Sequence, residues 1–237
     1  MKKLWQTEWF GIQFDSFIKV DSVNIASEKF YEKFYEKFYK KFSSYNDLPK
    51  EYRENKIGIA KDLIGFSENY INILSIGCGN GIIEDYISKN TDKRILAIEP
   101  SDNSRWVKEQ KNIKFLSGFF PFCLQNEIKY QFGYCSSIDY VFDDNEYKTF
   151  LKSIYDYQFE QFYFTEVIIP PNNFKSNIKS RIIEILKNIH LYKQKGQFWG
   201  YLRTLDEHIS FLRQVGFKKI EFGKHQHGSY WIRIDNE

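Results

Sequence analysis

Five side chains in the second half of this 237-residue sequence have types that can move a proton or bind an anion. Histidine is the usual general base near neutral pH, so the H-x-H pair His225 and His227 is the first choice for that role. Arg203 stands in the aromatic run "QFWGYLRT", where its planar guanidinium could hold a phosphate or a carboxylate. Glu166 and Tyr140 lie at the carboxyl ends of two predicted strands and are further polar candidates. These residue types predict proton removal from a small acceptor, which is anionic if Arg203 binds it.

Each candidate also has an interpretation without chemistry. The histidine pair fits a polar hairpin loop, or two metal ligands on one strand face, but no further ligand is identifiable, so we predict no metal site. Glu166 and Asp139 fit salt bridges as well as they fit a carboxylate base. Arg203 fits a surface position near Asp206 or Glu207.

Three glycines interrupt the stretch "INILSIGCGNGIIEDYIS" at Gly77, Gly79 and Gly81. Glycine within an ordered element costs stability, so a turn or a ligand must require bare backbone there. The third glycine of a G-x-G-x-x-G dinucleotide fingerprint would fall at Ile82, and a GxxxxGK[ST] phosphate loop is missing. Glu99 ends the next strand, at the position from which a carboxylate can accept hydrogen bonds from two ribose hydroxyls. The pattern therefore predicts an adenosyl ligand.

Strand-like and helix-like segments alternate from residue 71 onward, which predicts a parallel sheet covered on both faces. A short loop joins the last two strands, so they must form a hairpin whose last strand is antiparallel, and we expect that strand at the sheet edge. The predicted strands are "INILSI", "RILAIE", "NIKFLS", "QFGYCSSI", "QFYFTEVII", "FKKIEF" and "SYWIRI". The predicted helices are "GIIEDYIS", "SRWVKEQ", "NEYKTFLKSIYDY", "KSNIKSRIIEILKNIHLY" and "DEHISFLRQV". The fold class is α/β, a Rossmann-like, seven-stranded, mostly parallel sheet.

Residues 1–68 differ from the rest and are expected to form an N-terminal helical cap, with the ligand-binding domain at 69–237. The run "SEKFYEKFYEKFYKKF" repeats a four-residue unit that puts phenylalanines 30, 34, 38 and 42 on one helical stripe, with Ser27 as N-cap. Such a stripe packs against a core, and it could also cover a substrate pocket.

Together, "ILSIGCGNG", "ILAIEP" and "GFKKIEF…YWIRI" resemble the class I S-adenosylmethionine (SAM) dependent methyltransferases, over residues 55 to 234. The resemblance implies SAM as cofactor. Two positions depart from the family pattern: Ser75 stands where an acid usually holds the methionine end of SAM, and Phe119 stands where an acid often meets the adenine. The cofactor residues expected from this comparison are Ser75, Gly77, Cys78, Gly79, Asn80, Gly81, Glu99, Pro100, Ser117, Phe119 and Ser136.

The combination of "FDSF…FYEKFYEKF", "LSIGCGNGIIE" and "FWGYLRT" also resembles small bacterial methyltransferases that accompany surface-polysaccharide (capsule) biosynthesis. That resemblance implies O-methylation of a small polar metabolite, or of a sugar or phosphorus-containing capsule precursor. One alternative is a catalytically silent SAM-fold binding protein. Another is an aminopropyl transferase of the same fold, for which Asp139, Asp143 and Asp144 would bind a polyamine.

Composition excludes several partners. A net charge of +3 is small for a nucleic-acid-binding face, and the [ND]-P-P-[YFW] motif of nucleobase amino methylation is missing. Three cysteines without CxxC spacing favour reduced thiols. Gln6 and Glu8 interrupt any signal-peptide apolar region, and no run is long enough to span a membrane. We expect a cytoplasmic enzyme with a small-molecule substrate.

Overall fold

The structure is a computed structural model that describes residues 2–101, 105–107, 111–124, 129–170 and 195–236. The predicted helix at 175–192 and most of the one at 104–110 lie outside the described residues. The helices are α1 Glu28–Lys41, α2 Lys50–Phe66, α3 Ile82–Asn90, α4 Asp144–Tyr157 and α5 Leu205–Val215. The strands are β1 Lys2–Gln6, β2 Glu8–Trp9, β3 Ile12–Gln13, β4 Asn72–Ile76, β5 Arg94–Glu99, β6 Ile113–Ser117, β7 Phe132–Ser136, β8 Gln161–Val167, β9 Gln197–Leu202, β10 Lys219–Lys224 and β11 Tyr230–Asp235.

The central sheet has seven strands in the order β10-β11-β8-β7-β4-β5-β6. The five strands from β8 to β6 pair in parallel, and β11 is antiparallel to both of its neighbours. The predicted mostly parallel sheet with an antiparallel last strand is confirmed. The prediction that this last strand lies at the edge of the sheet is wrong, because β11 is inserted between β8 and β10 and leaves β10 at the edge. This order brings the β10–β11 loop to the carboxyl end of β8.

Alternation along each parallel strand divides the core between the two faces of the sheet. On β4, Ile73 packs with α1, α2 and α3 in one hydrophobic cluster, whereas Leu74 and Ile76 pack with α4 and α5 in the other. The helices therefore cover both faces, and the carboxyl ends of the strands stay at one edge, where the connecting loops meet.

The aromatic stripe of α1 is confirmed as core. Phe30, Phe34 and Phe38 are at most 1% exposed, and Ser27 caps the helix by accepting a hydrogen bond from the Phe30 amide at 3.3 Å. The rings pack in the same cluster as the sheet residues that face α2 and α3, and Phe34 stacks on Trp9. The N-terminal residues thus share a core with the sheet, while a division into a cap and a domain at residue 68 stays a prediction.

A short second sheet joins the first strand of the chain to a strand that precedes α5. β1 pairs antiparallel with β9, with Lys2 opposite Leu202 and Gln6 opposite Gln197. The run "QFWGYLRT" was not among the predicted strands; most of it is a strand, because its edge is completed by residues almost two hundred positions away. Among the described residues, no helix is long and apolar enough to cross a membrane.

Candidate functional site

The glycine loop (residues 77–81) connects β4 to α3 at the carboxyl edge of the sheet. Gly77, Gly79 and Gly81 all have left-handed backbone, with φ of 74°, 56° and 76°. Other residues adopt this conformation only at a cost, so the turn itself accounts for glycine at all three positions. The loop is held to β5 because Gly77 donates its N–H to the Ile98 carbonyl at 2.8 Å and Gly79 donates to Glu99 Oε2 at 3.0 Å.

Side chains of the same protein occupy the space beside these glycines. A Cβ on Gly79 would lie 3.2 Å from the Tyr35 hydroxyl, one on Gly77 would lie 2.6 Å from Ile138, and one on Gly81 would collide with Val107. The missing side chains therefore do more than permit the tight turn. They also let α1 and two loops approach the turn closely.

Glu99 ends β5 directly against this loop, as the spacing predicted. Besides the Gly79 amide it binds Ser101, whose hydroxyl lies 3.1 Å from Oε1 and whose backbone N–H also donates. Burial raises the pKa of Glu99, and these hydrogen bonds oppose the shift. A carboxylate has about four acceptor sites, so one remains for a ribose hydroxyl, and a second hydroxyl would displace one of the present donors.

Tyrosines of α1 cover the glycine loop. Tyr31 and Tyr35 are close enough to Glu99 for its charge to add to the rise in their pKa values, which burial mainly causes. The Tyr31 hydroxyl accepts a hydrogen bond from Tyr140, the residue predicted at the tip of β7. Burial also raises the pKa of Tyr140 well above its usual value, so its phenol is a poor proton acceptor at neutral pH.

A buried polar cluster lies beneath the loop at Ser75. The Ser75 hydroxyl and the Tyr134 hydroxyl each donate to Glu84 Oε1 at 2.5 Å. Glu84, in the first turn of α3, is 2% exposed, and burial raises its pKa. Ser75 thus carries no charge itself but is in contact with a carboxylate that the sequence pattern did not single out.

A second polar cluster joins α2 to the ends of β7 and β8. Lys56 forms an ion pair with Glu166, which also accepts hydrogen bonds from Ser136, Ser137 and Asn55. The positive charge and hydrogen bonds outweigh burial and lower the pKa of Glu166, so this carboxylate is a weak base. Ser137 and Glu166 have φ of 55° and 58°, a strained conformation for residues with side chains, which brings their polar groups together.

Arg203 is not available to a substrate. Its side chain is 1% exposed and donates to Asp144 Oδ1 at 3.0 Å, to the Asp139 carbonyl at 3.0 Å and to the Phe142 carbonyl at 2.8 Å. The guanidinium also lies over the Tyr147 ring, 4.5 Å from its centre. Both earlier interpretations, an anion-binding group and a surface residue near Asp206 or Glu207, are therefore wrong: Arg203 ties the β7–α4 loop to α5.

The predicted histidines lie beside α2. His225 is 3% exposed and its Nδ1 is 2.5 Å from Asp62, whereas His227 is exposed and its ring lies against Gly58. In the contacts of the described residues, neither is joined to the glycine loop or to Glu166, and no group of three or more His, Cys, Asp or Glu converges as metal ligands would. Their role as general base stays a prediction.

The remaining predicted cofactor residues surround the loop. Asn80 donates to the Tyr52 hydroxyl at 3.1 Å, and its carbonyl accepts from Tyr45 at 2.9 Å. Ser117 donates to the Pro100 carbonyl at 3.4 Å, and Cys78 is a half-buried thiol. Phe119 is 59% exposed, and its contact with a ligand stays a prediction.

Sequence reasoning missed Lys56 and Glu84, although their patterns held a signal. Lys56 shares a helical face with Ile59, Ala60 and Leu63, and a lysine on such a face must find a buried partner. Glu84 likewise lies next to Ile83 and one turn from Ile87.

No protein-family profile matches the sequence, and no curated protein matches it. Solved structures do match in fold. Human N-acetylserotonin methyltransferase in complex with SAM has a TM-score of 0.56 at 15% identity, over 89% of this chain and 56% of that one. PigF with SAH, the demethylated form of SAM, has a TM-score of 0.58 at 14% identity, over 89% and 60%.

Magnesium protoporphyrin IX methyltransferase ChlM from Synechocystis PCC 6803, with bound SAH, has a TM-score of 0.54 at 10% identity, over 82% and 88%. This chain thus spans less than two thirds of the length of the first two proteins. The likeness establishes a Rossmann-like methyltransferase fold, in agreement with the strand order.

Proposed function

We propose that this protein binds SAM and transfers its methyl group to an oxygen of a small polar metabolite. The observation that carries the proposal is the position of Glu99. It ends the second parallel strand with its carboxylate on the glycine loop of the first, where a ribose would lie in an open α/β sheet. The fold of the SAM- and SAH-bound neighbours agrees with this ligand.

Charge at the carboxyl edge also favours SAM over a phosphate-bearing nucleotide. Three carboxylates lie there, Glu84 buried and Glu99 and Glu166 half-buried, and the ammonium of Lys56 pairs with Glu166. A ligand bearing phosphates would add negative charge to this region, whereas the sulfonium and ammonium of SAM outweigh its single carboxylate and leave it a net cation. Buried carboxylates are stabilised by cations, so the residues present fit SAM.

SAM supplies a methyl group on a positively charged sulfur, and transfer is an in-line displacement that depends on alignment. Lys56 of α2 and the polar groups at the ends of β7 and β8, Ser136 among them, would orient an acceptor beside the cofactor. His225 and His227 remain the proposed bases for a hydroxyl acceptor. Tyr31 and Tyr35 of α1, which cover the glycine loop, would exclude water. A sugar or phosphorus-containing capsule precursor is the narrower acceptor class, which rests on the sequence resemblance alone.

Calorimetry with SAM and SAH tests the proposal. The wild-type protein should bind both, and Glu99→Gln should weaken both by about 10- to 100-fold, since one hydrogen bond to a charged group contributes about 1.5–3 kcal/mol. Glu51→Gln, on the exposed surface of α2, is the matched control and should bind as the wild type does. Failure of the wild type to bind either ligand would refute the proposal. Incubation with methyl-labelled SAM and a cell extract, followed by mass spectrometry, would then identify the acceptor.

The aminopropyl-transfer alternative loses its acidic site. Asp139 is buried beside His208, Asp143 caps α4 and Asp144 pairs with Arg203, so all three carboxylates have structural partners. The silent-binder alternative predicts SAM binding without any labelled product in the extract experiment.

A further inference from the structure

Glu84 is a buried carboxylate with an unfilled hydrogen-bonding oxygen. Both hydroxyl donors in contact with it, Ser75 and Tyr134, bind the same atom, Oε1. Oε2 is shielded from solvent and has no hydrogen-bond partner on another residue within the part of the chain that the structure describes. A buried polar atom without a partner is costly, and such atoms in native proteins call for an explanation.

The position of Glu84 relates it to the glycine loop. It lies in the first turn of α3, three residues after Gly81, and its carboxylate reaches back to Ser75, the residue before the last of β4. Glu99 marks the end of the neighbouring strand β5, and Tyr134 lies on β7 at the other side of β4. Adjacent strands are about 4.8 Å apart, so a ligand whose ribose is at β5 has its next few atoms over β4 and β7.

The charges around Glu84 favour a cationic partner. The titratable groups that interact electrostatically with Glu84 are Lys56, Tyr45, Tyr52, Tyr134 and Glu99. Lys56 is the cation among them, and its ammonium is engaged by Glu166. Burial raises the pKa of Glu84, and an arriving cation would lower it again.

We propose that Glu84 binds the α-ammonium group of the methionyl end of SAM, through Oε2, with Ser75 and Tyr134 holding Oε1. The inference rests on the proposed function, because it requires that the adenosyl ligand be SAM. An ammonium carries three N–H donors as well as a charge. The sulfonium has no N–H or O–H, and the ribose hydroxyls belong to Glu99, so the ammonium is the group of SAM that can both fill Oε2 and neutralise the carboxylate.

Binding of two matched ligands tests this assignment: SAH, and its deamino analogue, in which hydrogen replaces the α-amino group. The wild type should bind SAH about 10- to 100-fold more tightly than the analogue, the range for a hydrogen bond to a charged group. Glu84→Gln should lose that preference, weakening SAH by the same factor while binding of the analogue changes less than about twofold. Asp85→Asn is the control, since Asp85 is buried in the same helical turn but is paired with Lys89 at 2.9 Å; it should keep the preference.

Several results would overturn the inference: an unchanged SAH affinity in Glu84→Gln, equal weakening of SAH and analogue, or an equal loss of preference in Asp85→Asn. If the wild type binds SAH and Glu99→Gln weakens it while Glu84→Gln does not, the proposed function stands and the role of Glu84 fails. A wild type that binds neither ligand would overturn both.

A measurement on the wild type alone covers the case in which Glu84→Gln does not fold. Calorimetry in buffers of different ionisation enthalpy, at a series of pH values upward from about 4.5, the ordinary pKa of a glutamate, counts the protons released on binding. Burial raises the pKa of Glu84 and a bound ammonium lowers it again, so SAH should release more protons than the deamino analogue at the pH values where Glu84 of the free protein still holds its proton. Both ligands would cause the same proton release or uptake at Glu99 and Lys56, so these contributions cancel in the comparison. Equal proton release over the whole range would overturn the inference.

Discussion

Replacing Arg203 by methionine should destabilise the protein strongly, because its guanidinium is structural. The substitution keeps an unbranched side chain of similar length but removes every hydrogen bond. The Asp139 and Phe142 carbonyls, which accept at 3.0 and 2.8 Å, lose their donor, and Tyr147 loses the cation over its ring. The Asp144 side chain is 47% exposed, so water can solvate its freed carboxylate.

The expected cost follows from these contacts. Leaving buried polar groups without partners costs about 1–3 kcal/mol for each group, and breaking a buried ion pair costs about 3–5 kcal/mol in all. The partial exposure of Asp144 limits the cost to that range. For a chain of this size, about 3–5 kcal/mol corresponds to a fall in Tm of roughly 6–20 °C.

Thermal unfolding followed by circular dichroism measures the effect. Arg213→Met, at an exposed position of α5, is the matched control and should unfold within about 2 °C of the wild type. A Tm for Arg203→Met equal to that of the control, together with a large rise in KM for the acceptor, would refute the structural role and restore the anion-binding hypothesis.

Two further perturbations test the core and its buried charges. Phe34→Ala should destabilise the protein by about 3–5 kcal/mol in urea unfolding, because Phe34 is fully buried, whereas Phe119→Ala, at a ring that is 59% exposed, should cost less than about 0.5 kcal/mol. Equal midpoints would show that α1 is not part of the cooperative core. Burial raises the pKa of Asp139 to about 6 and lowers the pKa of His208 to about 4, so their contributions to stability oppose each other as pH changes. Asp139 holds its proton in the folded state and its contribution falls between about pH 4 and 6, while the contribution of His208 rises between about pH 4 and 6.5, each by about 3 kcal/mol. Relative to wild type over this range, Asp139→Asn should therefore gain stability with pH and His208→Gln should lose it; changes of the same sign in both variants would contradict the assignment.

The parts of this fold that depend on local sequence pattern could be predicted. Period-two and helical spacing located the strands and helices of the sheet, and the four-residue aromatic repeat identified the buried face of α1. Gly79 and Glu99 were placed together because strand ends and following loops meet at one edge of a parallel sheet.

Features that depend on contacts distant in sequence could not be predicted. A short loop shows that β10 and β11 form a hairpin but not which of them pairs with β8, and β11 does so. The strand β9 has its partner near the N-terminus. Arg203 was assigned to a substrate because nothing local shows that the carbonyls it binds come from the loop after β7.

The helix α2 explains why the N-terminal residues belong to the site. Tyr52 binds Asn80 of the glycine loop, Lys56 binds Glu166 at the end of β8, and Asp62 binds His225 in the β10–β11 loop. Steps of four and six residues along a helix advance about 6 and 9 Å, so one rigid helix contacts three separate points of the carboxyl edge. A shift of α2 would change all three contacts together. The geometry of the candidate site is thus set as much by this N-terminal helix as by the strands that the glycine motif identifies.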